Sequence, residues 1–241
     1  MKYQHFIVTR FNQRAGRDAP LVSDDWMEDR FELFERVCLP SVEAQTNQGF
    51  RLVLCCDGRT RPEHKRILEG YEATARCRVG VVYDAPCAGL VTRWIEPDTE
   101  FVVTTRLDND DAVSDGMIAA AQSWVEQLDP ARADPAFIVF PRGLCLDTSG
   151  RCVLLDDPDN PFATMIERRS EPLRTIYHIN HTKIRETYPG LVTLVKAEPM
   201  WLRYCHGRNI ANRMESFAAR GALYAGDLDR FHLRLDVARR Q

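Results

Sequence analysis

Short apolar runs alternate with stretches of helical period through the first half of the chain. Residues 3–11 are apolar with a β-branched centre and fit a buried strand. A polar loop with Gly16 and Pro20 follows. Asp25 and Glu28 then have the spacing of a capping box, and Met27, Phe31, Phe34 and Cys38 share one helical face until Pro40 interrupts it. Residues 50–56 read as a second strand, closed by Asp57 and Gly58. Thr60, Pro62 and Glu63 occupy N-cap, first-turn and N3 positions, which predicts a helix running towards Arg76. A third strand over 78–83, a short helix over 90–95 and a fourth strand over 101–107 complete the series. Such alternation predicts an α/β, Rossmann-like architecture, a mostly parallel central sheet with flanking helices and right-handed crossovers.

Beyond residue 111 the regularity fades. Met117, Ala121, Trp124 and Leu128 mark an amphipathic helix, residues 136–140 another strand, and 144–146 with 152–155 a hairpin around Asp147 to Gly150. Prolines at 158, 161, 172, 189 and 199 break up the remainder, and the tail is rich in arginine. No linker or repeat divides the sequence, so a single domain over 1–241 is expected, with functional halves at 1–111 and 112–241.

Composition narrows the classes. Of 241 residues, 44% are hydrophobic and 28% charged, which excludes disordered and fibrous chains. The formal charge of −3 gives nucleic acid no electrostatic foothold, so an anionic ligand must be captured by a local site. There is no transmembrane run and no signal-like start, so a cytoplasmic protein is expected, which leaves peripheral membrane association open. The eight cysteines form no CxxC pair, and several lie in apolar runs as reduced, structural thiols are expected to.

Ligands of open parallel sheets bind outside the carboxyl ends of the strands. Those ends carry Thr9 and Arg10, Asp57, Asp84, and the run Asp108-Asn109-Asp110-Asp111. The last is the sharpest feature. So many carboxylates in a dry crevice would repel one another, and a hard divalent cation is the usual remedy; the alternative is a solvated turn that caps the next helix. An EF-hand is disfavoured, since Ala112 and Val113 stand where that loop needs a ligand and a glycine. A cation would also reconcile the acids with an anionic ligand such as a nucleoside diphosphate. Arg10, Arg93 and Arg106 could add bidentate phosphate contacts or could simply be solvated.

Several longer segments carry a resemblance. FIVTRFN at the start, Cys38-Leu39-Pro40-Ser41-Val42, Gln45-Thr46-Asn47-Gln48, LVLCCDG, residues 104–112, Pro199-Met200-Trp201-Leu202, His206-Gly207-Arg208-Asn209 and Asn212-Arg213 are similar to segments of GT-A fold glycosyltransferases, above all the bacterial rhamnosyltransferase family. The resemblance spans nearly the whole chain. It implies a GT-A-like fold whose DxD motif, Asp108-Asn109-Asp110, holds Mn²⁺ or Mg²⁺ on the diphosphate of a nucleotide sugar. It further implies that Asp57 binds the base, that Thr9, Arg10, Arg93 and Asp108 line the donor pocket, and that His206 adds a metal or phosphate contact. Residues 1–111 then form the nucleotide-sugar-binding half and 112–241 the acceptor-binding half. The activity implied is transfer of a sugar, rhamnose among the candidates, from a nucleoside diphosphate to a hydroxyl of a glycan or lipid-linked acceptor.

On residue chemistry alone His206 reads first as a hydrogen-bonded structural residue. His178 and His181 suit one helical face but lack further ligands for zinc. Trp26, Trp94 and Trp201 read as core before sugar platforms. An inverting transfer needs a base from the second half. Glu167, a single acid after an apolar stretch, is the first choice, with Asp157, Asp156, Glu198 and His181 behind it. The rivals are a sugar-nucleotide nucleotidyltransferase, disfavoured because residues 13–17 hold one glycine where a triphosphate loop needs several, and a non-catalytic carbohydrate-binding protein that keeps the fold.

Overall fold

The structure, a computed structural model, describes residues 1–13, 19–132, 134–208 and 214–235. Four strands, β1 (Tyr3–Arg10), β2 (Phe50–Cys56), β3 (Val79–Tyr83) and β4 (Phe101–Arg106), lie parallel in the spatial order β3-β2-β1-β4. Their apolar runs are continuous because both faces of the sheet are covered. One face carries Ile7, Leu52, Leu54 and Val103 against the helices α1 (Asp24–Leu33), α3 (Pro62–Thr74) and α4 (Met117–Gln127). The other carries Phe6, Val8, Val53 and Val102 beneath Leu90, Val91 and Leu173.

The second half extends this sheet and adds another. After β5 (Ala112–Val113) come β6 (Ala136–Val139), β7 (Arg142–Asp147), β8 (Cys152–Asp156), β9 (Thr164–Arg168), β10 (Val192–Leu194), β11 (Trp201–Cys205) and β12 (Ala222–Leu223). The seven-stranded sheet runs β10-β6-β9-β4-β1-β2-β3, and four of its six pairings are parallel; β9 is antiparallel to both neighbours. The five-stranded sheet runs β12-β8-β7-β11-β5. The fold is therefore mixed α/β with a mostly parallel central sheet and flanking helices, as the sequence pattern implies.

Details depart from the pattern for local reasons. Ser23, not Asp25, caps α1, accepting a hydrogen bond from Trp26 N at 3.2 Å. Pro40 does not end the helical stretch. A π turn over Phe34–Cys38, closed by Leu39 N donating to Phe34 O, lets α2 (Leu39–Glu43) continue with the proline in its first turn, where no amide donor is needed. α3 starts one residue later than expected because the Thr60 hydroxyl donates to Asp57 O at 2.6 Å instead of capping the helix. The expected helix over 90–95 is a pair of 3₁₀ turns, Cys87–Gly89 and Thr92–Trp94. The hairpin forms as read, with Gly150 at φ 85° in its turn. Gly143 permits a close approach: a Cβ there would collide with the Trp201 indole, which lies flat against β7 and stacks on Phe162 at 5.0 Å. Among the described residues no helix is long and apolar enough to cross a membrane. All eight cysteines are unpaired, and seven of them are buried.

Candidate active site

β2 lies on one side of β1 and β4 on the other, so successive crossovers leave in opposite directions and a crevice opens at their carboxyl ends. Two hydrogen bonds fix the acidic run at that point. Leu107 N donates to Val8 O at 3.2 Å, and Asn109 Nδ2 donates to Phe11 O at 3.0 Å. Asp111 N turns back on Asp108 O at 3.2 Å, which tightens the segment. On the β2 side, Asp57 N donates to Asn12 Oδ1 at 3.2 Å, and the Asp57 carboxylate takes a side-on Arg59 guanidinium at 2.8 Å. Arg10, Asp57, Asp108 and Asp110 thus all lie at the carboxyl ends of β1, β2 and β4. Thr9 is fully buried on the same face of β1 as Ile7, the helix side, and its hydroxyl has no hydrogen-bond partner among the described residues.

The acids are neutralised by arginines from three separate elements. Arg106 donates to Asp108 Oδ2 at 2.9 Å, and Asp108 is one-third exposed. Arg30 of α1 pairs with the buried Asp110, whose Oδ2 also lies 3.0 Å from His206 Nε2. Burial alone would raise the Asp110 carboxyl, but the His206 hydrogen bond and the Arg30 cation outweigh it and hold the group below the usual carboxylate range. Asp111 is the opposite case: burial first, then the charges of Asp110 and Asp108, push it well above that range, against the opposing pull of Arg203 and the Tyr204 amide. Protein cations thus pair Asp108 and Asp110, as buried charges require, while Asp111 is held in its protonated range.

A cation site is nevertheless compatible with the donor set. Ligand oxygens and nitrogens at about 2.1 Å from an octahedral ion lie about 3 Å apart along an edge, and Asp110 Oδ2 and His206 Nε2 are 3.0 Å apart. No cluster of three or more His, Cys, Asp or Glu side chains suited to a metal occurs among the described residues, and Asp108 is turned to Arg106. Such a pair suits an ion whose remaining ligands are water and substrate phosphate, the usual habit of Mg²⁺. Arg30 holds the same Asp110 oxygen and would have to share or yield it.

Other expected residues fall elsewhere. Arg93 is exposed, donates to Val81 O at 3.2 Å and stacks on Trp94 at 4.6 Å, so it covers the open edge of β3 rather than the donor crevice. Glu167 is fully buried opposite Val102 of β4, four residues or roughly 13 Å back from Arg106 along the strand. Its oxygens accept from Arg174 N at 2.9 Å and Thr175 N at 2.7 Å, so this carboxylate anchors a loop. His178 donates from Nδ1 to Thr175 O at 2.7 Å and accepts from Tyr188 Oη at 2.9 Å, a structural role that breaks up the expected histidine pair. Trp201 donates to Phe140 O at 2.8 Å and is core. Asn209, Asn212 and Arg213 lie outside the described residues.

Asp157 and His181, by contrast, reach the crevice from the side of β4 away from β1. Asp157 Oδ2 is 3.6 Å from Arg203, and His181 Nδ1 accepts from Arg106 at 3.1 Å. Burial, then Arg106 and Arg203, lower the His181 imidazole to about 4, so it is neutral at pH 7. Arg30, Arg203 and Tyr177, whose ring lies 4.6 Å from the Arg10 guanidinium and 5.5 Å from that of Arg106, were not singled out as parts of the site from the sequence. Arg30 alone left a signal there: a charge on the apolar face formed by Met27, Phe31 and Phe34.

Comparison with known proteins places this geometry in a family context. The model of a family described as "Putative rhamnosyl transferase" matches residues 6–217. No curated protein matches the chain. Among solved structures, S. aureus TarS 1–349 aligns at 14% identity and a TM-score of 0.47, over 85% of this chain and 60% of that one. The same protein in complex with UDP aligns at 11% identity and 0.44, over 85% and 61%. A 4-diphosphocytidyl-2C-methyl-D-erythritol synthase from Anaerococcus prevotii aligns at 12% identity and 0.36, over 88% and 91%. The chain therefore spans about 60% of the TarS 1–349 structure it matches.

Proposed function

The chain belongs to the rhamnosyl transferase family, and we propose that it is a glycosyltransferase, transferring a sugar, rhamnose among the candidates, from a nucleoside diphosphate to an acceptor hydroxyl with the aid of Mn²⁺ or Mg²⁺. The acceptor class we infer is a glycan or a lipid-linked saccharide. The observation that carries this reading is the acidic run at the carboxyl ends of β4 and β1, with Asp110 and His206 at the spacing of two ligands of one ion.

Asp110 and His206 would hold the ion, with Asp108 close by and exposed enough to turn from Arg106 to the same centre. The ion's contribution there is Lewis-acid stabilisation of the departing diphosphate. Asp57 borders the nucleotide base beyond β2, and Arg10 reaches the phosphates from β1. With Glu167 committed to its loop, Asp157 is the general base: it takes the acceptor hydroxyl proton as that oxygen attacks the anomeric carbon, and the outcome is inversion. Neutral His181, hydrogen bonded to Arg106, borders the acceptor.

A turnover screen tests the reading. The full chain is incubated with common sugar nucleotides and Mn²⁺, and the released nucleotide is identified. One donor is expected to yield its nucleoside diphosphate, and Asp110→Asn to abolish the release. Pyrophosphate as the product would establish nucleotidyl transfer instead, and release by Asp110→Asn at the wild-type rate would overturn the assigned centre.

A further inference from the structure

The element that faces the acidic run from the second sheet is β11, and its central residue is a buried cation. Arg203 is nine-tenths buried, with its side chain 9% exposed, amid the rings of Trp201 and Phe217 at 5.3 Å and Phe162 at 6.0 Å. Among the described residues its guanidinium donates no hydrogen bond; the nearest carboxylate oxygen, Asp157 Oδ2, stands at 3.6 Å. Guanidinium groups carry five N–H donors, and this one, packed among aromatic rings with only a small exposed part, spends none of them on a hydrogen bond among the described residues. Aromatic faces compensate for part of the lost hydration but satisfy no N–H group.

His181 borders the same space, its Nδ1 accepting from Arg106 at 3.1 Å. After burial, the strongest influences on its imidazole are the cations Arg106 and Arg203, ahead of the anions Asp108 and Asp157. Arg106 and Arg203 thus both face His181, with Asp108 and Asp157 beside them. This space lies on the β9 side of β4, whereas Asp57 and Arg10 lie on the β1 and β2 side, so it falls across Asp108 from the proposed nucleotide pocket.

We propose that Arg203 and Arg106 form an anion subsite for the acceptor, and that the acceptor sugar or its linkage carries a phosphate or carboxylate next to the attacked hydroxyl. The inference rests on the glycosyl transfer proposed above and specifies its acceptor chemistry. Arg203 supplies the bidentate fork from below and Arg106 the outer wall. An anion seated between them leaves its neighbouring hydroxyl beside Asp157.

The test uses the full chain with Mn²⁺ and pairs of small probes, glucose 6-phosphate and methyl glucuronide against methyl glucoside, in calorimetry. The wild type is expected to bind at least one anionic probe about tenfold more tightly than the neutral one, the scale of one charge-assisted hydrogen bond. Arg203→Met should erase that preference, Arg203→Lys should keep part of it, and both should retain wild-type affinity for the nucleoside diphosphate. Equal binding of charged and neutral probes by the wild type overturns the inference without any variant. So does a preference that survives in folded Arg203→Met, or a parallel loss of nucleotide affinity, which would assign Arg203 to the donor. Nucleotide binding is read in the same titrations. Its absence in the wild type refutes the proposed donor site, whereas its presence without probe discrimination refutes the anion subsite alone.

Discussion

Replacing Arg30 by methionine separates the protein's own charge balance from a bound ion's. The Arg30 and Asp110 side chains are 7% and 13% exposed, so their ion pair is buried. Removing one partner of such a pair costs about 3–5 kcal/mol, because the other charge stays behind without its counterion. His206 remains on Asp110 Oδ2, which points to the lower end, about 3 kcal/mol. For a domain of this size that is a fall in Tm of roughly 6–12 °C, measurable by circular dichroism in metal-free buffer. If a divalent ion can occupy the position that Arg30 vacates, Mn²⁺ at about 100 times its Kd should return about 2.7 kcal/mol, nearly the whole deficit. The wild type, where Arg30 competes for the same oxygen, should gain less. A fall of under about 3 °C would refute the assignment of Arg30 as the counter-charge, and equal Mn²⁺ stabilisation of both proteins would refute the exchange of cation for cation.

Three further outcomes are expected. His5 is fully buried with Nε2 2.8 Å from Thr105 Oγ1, and burial lowers its imidazole to about 3. The unfolded chain therefore takes up the proton first, so stability is complete above about pH 6.5 and drops by about 2 kcal/mol on going from pH 7 to pH 5; urea titrations should show a shallower pH dependence in His5→Gln, and identical slopes would contradict this. Gly143→Ala should cost about 1–3 kcal/mol in the same titrations, because the new methyl meets the Trp201 ring; an unchanged midpoint would mean the indole moves freely. Glu167→Gln should lower Tm but leave kcat within about threefold, whereas Asp157→Asn should lower kcat by about 10²–10⁴ with little change in Tm; steady-state kinetics with the reverse pattern would restore Glu167 as the base.

The parallel half of the fold was legible because its strands are short, apolar on both faces and separated by recognisable turns. β9 and β11 were not. Thr164–Arg168 carries Glu167 at a buried position, and only the loop amides of Arg174 and Thr175 make that tolerable, a contact invisible along the sequence. Trp201–Cys205 carries Arg203 in the same way, and its aromatic surroundings come from three separate segments. The acidic run announced the site because acids at strand ends need partners, but their counter-charges, on α1, β4 and β11, depend on tertiary placement. Arg93 lies away from the crevice for a related reason. Its proximity in sequence to the fourth strand says nothing about the crossover, which leaves it at the opposite edge of the sheet on Val81 O.

The central claim, that Asp110 and His206 share a divalent ion with a nucleoside diphosphate, is tested most directly by calorimetry with a panel of nucleoside diphosphates in Mn²⁺ and in EDTA. One nucleotide is expected to bind at least about tenfold more tightly with Mn²⁺, and that gain should vanish in Asp110→Asn. Affinities that are the same with and without the metal, or a gain that persists in Asp110→Asn, would contradict it.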